Sequence, residues 1–299
     1  MKAYMGKLLR VDLTKRKATE VPLREDYARD YIGGTGLGVR LAYDEVAPET
    51  DPLSPEAKIF FMTGPVTGTP LGTTGRYQVV FKSPLTGILC DSSSSGFWGV
   101  ELKNAGYDGL IVEGASDTPV YVSINDGKVE FRDARKHWGK DAISVQDDLR
   151  AEVGDPKARV ATIGQAGENK VLFSCIVNDD GRVPGRGGNG AVMGSKNLKA
   201  IVVRGTGKVE LADPEGFKKI ALEINKKNAT VPFLADLRKN GTSTVLDASW
   251  PISDIPVKNW SVGSSEAACT PLGGEKQYEL SSGSHASCYR CPISCSSKI

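Results

Sequence analysis

Histidine is nearly absent from this 299-residue chain, which holds only His137 and His285. Mechanisms built on a histidine general base therefore have little to draw on. No apolar run approaches the roughly 20 residues that a bilayer-spanning helix needs. The N-terminal Met1-Lys2-Ala3-Tyr4-Met5-Gly6-Lys7 also lacks the apolar core of a signal peptide. Strong charge is missing too: the net charge is +2 with Lys and Arg scattered, which does not suggest an electrostatic nucleic-acid binder. Cysteine is scarce. Of six, Cys90, Cys175 and Cys269 are isolated while Cys288, Cys291 and Cys295 cluster, a pattern of a metal site rather than a secreted disulfide framework. The expected location is the cytoplasm.

What the chain does have is an ordinary globular composition, 39% hydrophobic and 25% charged, with 34 glycines, many of them clustered. Its length suggests roughly two domains. The first two hundred residues read as strand-rich. Lys7 to Leu13 alternates like a half-buried strand, as do 58–62 and 77–81 less regularly. Asn125-Asp126-Gly127 between two apolar runs is a hairpin signal. Further strands are expected at 110–112, 160–163 and 201–203, and helices near 24–45, 97–105, 141–152 and 189–197. After residue 207 the texture changes. Asp213-Pro214-Glu215 reads as a capped helix start, followed by amphipathic stretches from Phe217 to Lys227 and from Phe233 to Lys239. The expected organisation is α+β: a mixed β domain over 1–208 and the start of a mainly helical domain over 209–299. Ser261 to Ser287 reads as a long loop, and no internal repeat is visible.

Three glycine-rich segments could hold an anion. The strongest runs from Asp180 to Lys196, where glycines expose backbone amides, Arg182 and Arg186 sit four apart, and a helix start follows. It is not a Walker A loop, because Ser195 precedes Lys196. Gly72-Thr73-Thr74-Gly75-Arg76-Tyr77 leads into a strand, and Ser92-Ser93-Ser94-Ser95-Gly96-Phe97-Trp98-Gly99 leads into a helix. Each of these two reads at least as well as turn and cap chemistry. Gly33-Gly34-Thr35-Gly36-Leu37-Gly38 has the wrong spacing for a dinucleotide fingerprint and follows a helix-like stretch, so that reading is rejected.

Cys288-Tyr289-Arg290-Cys291-Pro292-Ile293-Ser294-Cys295 places three soft thiolate ligands at C-x2-C-x3-C spacing, suited to zinc or an iron–sulfur cluster. A radical-generating site would show the reverse spacing. Zinc could take His285 or Cys269 as a fourth ligand. A cluster would need a fourth cysteine from sequence beyond Ile299 or from a partner. Cys90 and Cys175 read as small core residues and His137 as structural.

In this order the motifs resemble the tungsten-containing aldehyde:ferredoxin oxidoreductases. The landmarks are Asp51-Pro52-Leu53-Ser54-Pro55-Glu56, Gly64-Pro65-Val66-Thr67-Gly68-Thr69, Gly75-Arg76-Tyr77, Lys82-Ser83-Pro84-Leu85-Thr86-Gly87 and Glu101-Leu102-Lys103 through Asp108. Gly164-Gln165-Ala166-Gly167-Glu168-Asn169, the 181–199 segment and Cys288 to Cys295 complete the set. The resemblance covers essentially the whole chain and the N-terminal half of a typical member. It implies a β domain of two related sheets as the base for a tungsten (or molybdenum) bis-pterin, next to a [4Fe–4S] cluster. Carried over by motif, Arg76, Arg182 and Arg186 would contact pterin or its phosphates, with Val183 and Gly185 doing so through backbone. Ser93 and Ser95 stand where the family often has Asn and Gly. Cys288, Cys291 and Cys295 would hold three irons. The residues the family uses for aldehyde chemistry, its fourth cluster cysteine and the second pterin's main contacts fall outside this chain, so no catalytic acid or base is assigned.

The implied reaction oxidises an aldehyde to a carboxylic acid and passes electrons through the cluster to ferredoxin or another electron-transfer protein. A chain supplying the missing C-terminal half is the expected partner. The alternative is a non-catalytic partner subunit, scaffold or truncated relic whose cysteine site holds zinc or nothing.

Overall fold

Ile59-Phe60-Phe61-Met62 shows how the first two hundred residues are layered. Every side chain of this strand is buried, as in a sheet covered on both faces. Ile59 and Phe61 enter one apolar cluster while Phe60 and Met62 enter another, as the two-residue pleat requires. The computed structural model describes residues 1–179, 181–281 and 285–297. They divide into two units, residues 1–69 with 74–212 and residues 70–73 with 213–299.

The first unit begins with β1 (Lys7–Asp12), β2 (Lys17–Pro22), α1 (Glu25–Tyr31), α2 (Gly34–Glu45), β3 (Ile59–Met62), β4 (Tyr77–Lys82), β5 (Leu89–Ser94), α3 (Trp98–Asn104) and β6 (Gly109–Glu113). It continues with β7 (Val120–Asn125), β8 (Lys128–Asp133), α4 (Ser144–Val153), β9 (Arg159–Thr162), α5 (Gln165–Glu168), β10 (Val177–Asn178), α6 (Asn189–Ser195) and β11 (Leu198–Arg204). One sheet has the order β2-β1-β6-β3-β4-β5 and the other β10-β9-β11-β7-β8. The two share a plan. A hairpin (β1–β2, β7–β8) has its first strand paired in parallel with the last strand of the half (β6, β11). That last strand pairs antiparallel with β3 or β9, which pairs with β4 or β10. Strand β5 is the addition in the first half.

Val11, Phe61, Val79 and Leu110 of one sheet and Val122, Ala161, Ile201 and Val203 of the other belong to one buried cluster, so the sheets pack face to face. Helices α1 and α2 cover the outer face of the first sheet, and α4 the outer face of the second. The α+β class is therefore observed, in four layers. Trp98 locks the layers together: its ring stands 4.7 Å from that of Tyr77, and its indole N–H donates to the Ile201 carbonyl at 3.1 Å. Lys196 is fully buried, and its ammonium donates to the carbonyls of Ser54, Pro55, Ala57 and Gly114 at 2.5–3.4 Å.

The second unit is helical: α7 (Pro214–Ala229), α8 (Pro232–Asn240), α9 (Thr244–Ser249), α10 (Glu266–Cys269) and α11 (Gly274–Leu280). Asp213 caps α7 by accepting from the Gly216 amide at 2.9 Å, and Pro214 occupies the first helical turn. The long loop expected over 261–287 is instead interrupted by α10 and α11. Ser265 caps α10, and the Asp247 carboxylate accepts from the Gly274 amide at 2.8 Å at the start of α11, both tertiary or capping effects that composition hides. No helix among the described residues is long and apolar enough to cross a membrane.

Candidate anion site and thiol loop

Arg76 immediately precedes β4, and Gln78 on that strand pairs directly with Ser93 of β5. This puts Arg76 and Ser93 on one face at one end of the hairpin, and the guanidinium donates to the Ser93 hydroxyl at 3.2 Å. Alternation sends Ser92 and Ser94 the other way, where both are buried. There Ser92 Oγ accepts from the Arg186 amide at 3.1 Å. Ser94 Oγ donates to Asn178 Oδ1 at 2.6 Å, which also accepts from the Tyr77 hydroxyl at 3.0 Å. Asn178 Nδ2 donates to the Ser95 carbonyl at 2.9 Å. The backbones of Asn178 and Arg182 exchange two hydrogen bonds of 2.7 Å. Asn178 thus ties Ser94, Ser95 and Arg182 together, while Ser92 holds the Arg186 amide and Ser93, on the other face of β5, holds Arg76.

The arginine–glycine loop is held from beneath by Asn189, whose side chain has no exposed surface. Its amide donates to the Pro184 carbonyl at 2.6 Å and the Arg186 carbonyl at 3.2 Å, while its Oδ1 accepts from the Ile176 amide at 2.8 Å. Ser83 Oγ adds a bond to the Gly187 carbonyl at 2.7 Å. Gly188 must be glycine: its φ is +86°, and a Cβ would stand 1.9 Å from the Leu172 carbonyl oxygen. A Cβ on Gly187 would meet Cys90 Sγ at 2.5 Å. Cys90 is therefore half-buried packing under the loop, and burial raises its thiol pKa. What remains outside is an exposed rim of Val183, Gly185 and the Arg186 side chain.

The helix N-termini beside these segments are already capped, as the turn-and-cap reading of 92–99 expected for α3. The first amides of α3, from Phe97 and Trp98, both donate to the Asp179 carboxylate at 2.7 and 2.9 Å. A Cβ on Gly96 would strike that carboxylate, 2.4 Å away. In α6 the residues from Asn189 to Gly194 are buried, and the Gly190 amide donates to the Ser174 carbonyl at 3.1 Å. Both termini are satisfied internally, so the anion chemistry rests on side chains and loop backbone. The landmark around Gln165 to Asn169 serves this packing: a Cβ on Gly194 of α6 would stand 1.9 Å from the Gly167 carbonyl of α5. Buried Lys199 pairs with Glu168 beside it. His137 is likewise buried, with Nε2 2.9 Å from Glu152, and takes no part in this network.

A phosphate-bearing pterin fits this end. Among the described residues no carboxylate pairs with Arg76 or Arg186, so two exposed guanidinium groups are left for an anion. Gly185 offers backbone with no side chain to hold a ligand off. Sequence reasoning missed Asn178, Asp179 and Asn189. The one local signal was Asn189 itself, a polar residue at the head of the otherwise small and apolar Gly190-Ala191-Val192-Met193.

In the second unit Cys288, Cys291 and Cys295 are half-buried thiols on one loop. The Cys291 amide donates to the Cys288 carbonyl at 3.1 Å, and Arg290 and Ser294 are left-handed at φ +46° and +54°, so the chain curls around this segment. Gly72 lies against it: a Cβ there would meet Asn225 Oδ1 at 2.7 Å and the Arg290 carbonyl and Pro292 at 3.1 Å. The donor set suits an iron–sulfur cluster. Among the described residues, however, no three His, Cys, Asp or Glu side chains converge as a metal set. The alternative, zinc held with His285 or Cys269, is likewise not gathered among the described residues. Cys269 is buried in α10, and the His285 ring stacks on Tyr278 at 6.3 Å.

Known proteins match this chain along nearly its whole length. The profile for the aldehyde ferredoxin oxidoreductase N-terminal domain matches residues 8–205, and that for domains 2 and 3 matches 218–299. The chain is 44% identical over 296 residues to the tungsten-containing aldehyde ferredoxin oxidoreductase of Pyrococcus abyssi (strain GE5 / Orsay), covering 99% of this chain and 49% of that protein. The same figures hold for the protein of that name from Pyrococcus horikoshii. Among solved structures, the active-site complex BamBC of benzoyl coenzyme A reductase, in complex with 1,5-dienoyl-CoA, superposes with a TM-score of 0.86 at 35% identity. That match covers 100% of this chain and 47% of the other. The chain spans about half the length of the curated relatives it matches. It belongs to the aldehyde ferredoxin oxidoreductase family, whose named relatives here contain tungsten.

Proposed function

We propose that this chain is the cofactor-holding part of an oxidoreductase that converts aldehydes to carboxylic acids and delivers the electrons to ferredoxin or a similar carrier. The observation that carries the reading is that neighbouring residues of β5 hold both groups, Ser93 the Arg76 guanidinium and Ser92 the Arg186 amide, in a family whose named relatives are tungsten enzymes. When bound, a tungsten (or molybdenum) bis-pterin supplies the two-electron redox chemistry, and a [4Fe–4S] cluster moves the electrons onward. Arg76, Arg182 and Arg186 would neutralise the pterin phosphates. Ser93 and Ser95 would offer hydroxyl groups to a pterin edge, and Val183 and Gly185 would offer backbone. Cys288, Cys291 and Cys295 would supply three thiolates to the cluster, with the remaining ligand and the residues of aldehyde chemistry coming from sequence that the longer relatives possess.

The test is aldehyde-dependent reduction of a viologen dye by anaerobically isolated holoprotein, together with any chain that copurifies. Dye reduction that needs aldehyde and yields the carboxylic acid is expected. A preparation that contains tungsten or molybdenum and iron yet reduces no dye with any of a panel of aliphatic and aromatic aldehydes would overturn the reading.

A further inference from the structure

We propose that a cleft at the other end of the β4–β5 hairpin binds a small amphipathic carboxylate. The cleft has a volume of about 550 Å³ and lies between the C-terminal end of α2, with Ala42, Tyr43, Val46 and Pro48, and the hairpin residues Lys82, Ile88 and Leu89. That volume falls in the range of about 300–1,000 Å³ typical of small-molecule sites. Its walls are apolar but wet: Tyr43 is 78% and Ile88 67% exposed. Large apolar groups gathered around a concavity mark a surface that something covers.

Lys82 identifies what. Its ammonium donates to the carbonyls of Pro48 and of Thr50, the latter at 2.8 Å. These bonds hold the charge at the cleft wall and cannot neutralise it. Among the described residues no carboxylate lies within ion-pair distance of Lys82. An ammonium carries three N–H donors, and two are committed, so one donor and a full positive charge remain. With a single cation and no arginine fork on the wall, the complement is a monoanion instead of a phosphate. The apolar walls add a hydrocarbon or aromatic tail. Lys82 stands at the opposite end of six-residue β4 from Tyr77, about 17 Å away at the usual strand rise. The cleft is therefore separate from the Arg76–Ser93 end of the hairpin.

Calorimetric titration of the 299-residue chain with octanoate, and with octanol and octylamine as matched controls, tests this. One saturable octanoate site is expected, with octanol and octylamine weaker by about tenfold, in line with loss of a half-buried charge-assisted bond. Lys82→Arg keeps octanoate binding and Lys82→Met weakens it by a similar factor. Ile88→Asp, on the exposed turn, abolishes it and serves as a second probe should Lys82→Met fold poorly. Absence of saturable octanoate binding at millimolar concentration, equal binding of octanol and octanoate, or unchanged binding by both Lys82→Met and Ile88→Asp would each overturn the proposal.

Discussion

Asn189→Ala removes three hydrogen bonds at once, to the Ile176 amide and to the Pro184 and Arg186 carbonyls. Ile176 and Pro184 are buried, so water cannot easily replace the lost partner. Each buried backbone group left unsatisfied costs about 1–3 kcal/mol, and two such groups put the loss near 3 kcal/mol. For a unit of this size that is a fall in melting temperature of about 6–12 °C. Differential scanning calorimetry of the full chain reads it directly. The same substitution unlashes residues 184–186, so cofactor retention should fall more steeply than stability does. A melting temperature within about 2 °C of the parent would refute the claim that Asn189 holds the loop, since it corresponds to less than one orphaned group.

Other outcomes follow from the same structure. Gly188→Ala should destabilise far more than Gly139→Ala in thermal melts. The two share φ near +86°, but only Gly188 would also drive a Cβ into a carbonyl, while Gly139 faces open space. Burial pushes the Lys196 ammonium down to about 8, against an ordinary value of about 10.4. A base with a lowered folded pKa binds fewer protons folded than unfolded between those values. Stability should therefore rise by about 3 kcal/mol from pH 8 to pH 10.4 and level off below pH 8, where both states are protonated. Denaturant melts of Lys196→Met across that window should lack this rise; an identical slope would count against the burial argument. Cys291→Ser should lower iron per chain while leaving tungsten or molybdenum in place, as measured by plasma emission; loss of both metals together would tie the thiol loop to the folding of the pterin end.

Much of the β unit was legible because its signals are local. The pleat of Lys7 to Leu13, the Asp126-Gly127 turn and the helix after Phe97 need only period and turn chemistry, and the structure has β1, the β7–β8 hairpin and α3 there. Strand β5 was missed because Ser92, Ser93 and Ser94 read as turn residues; only pairing with β4 and bonds to Asn178 and Arg186 make a strand of them. The shared plan of the two sheets left no trace as a sequence repeat, since topology is kept by burial pattern and not by residue identity. In the candidate site the arginines and glycines stand out by type. Asn178, Asp179 and Asn189 do not, because their roles depend on partners 80 or more residues away or on carbonyls that a loop brings back. What fills the helix starts was hidden for the same reason: Asp179 caps α3 and the Ser174 carbonyl takes the Gly190 amide of α6.

The central claim is that the Arg76–Ser93 end and the arginine–glycine loop hold a metal-bearing pterin. Elemental analysis of anaerobically purified protein for W, Mo, Fe and Zn per chain tests it most directly, with Arg76→Ala/Arg186→Ala measured beside the parent. The account predicts tungsten or molybdenum together with iron, about four per [4Fe–4S] cluster, and loss of tungsten or molybdenum in the double variant. Zinc alone, no metal at all, or an unchanged tungsten content without the two arginines would contradict it.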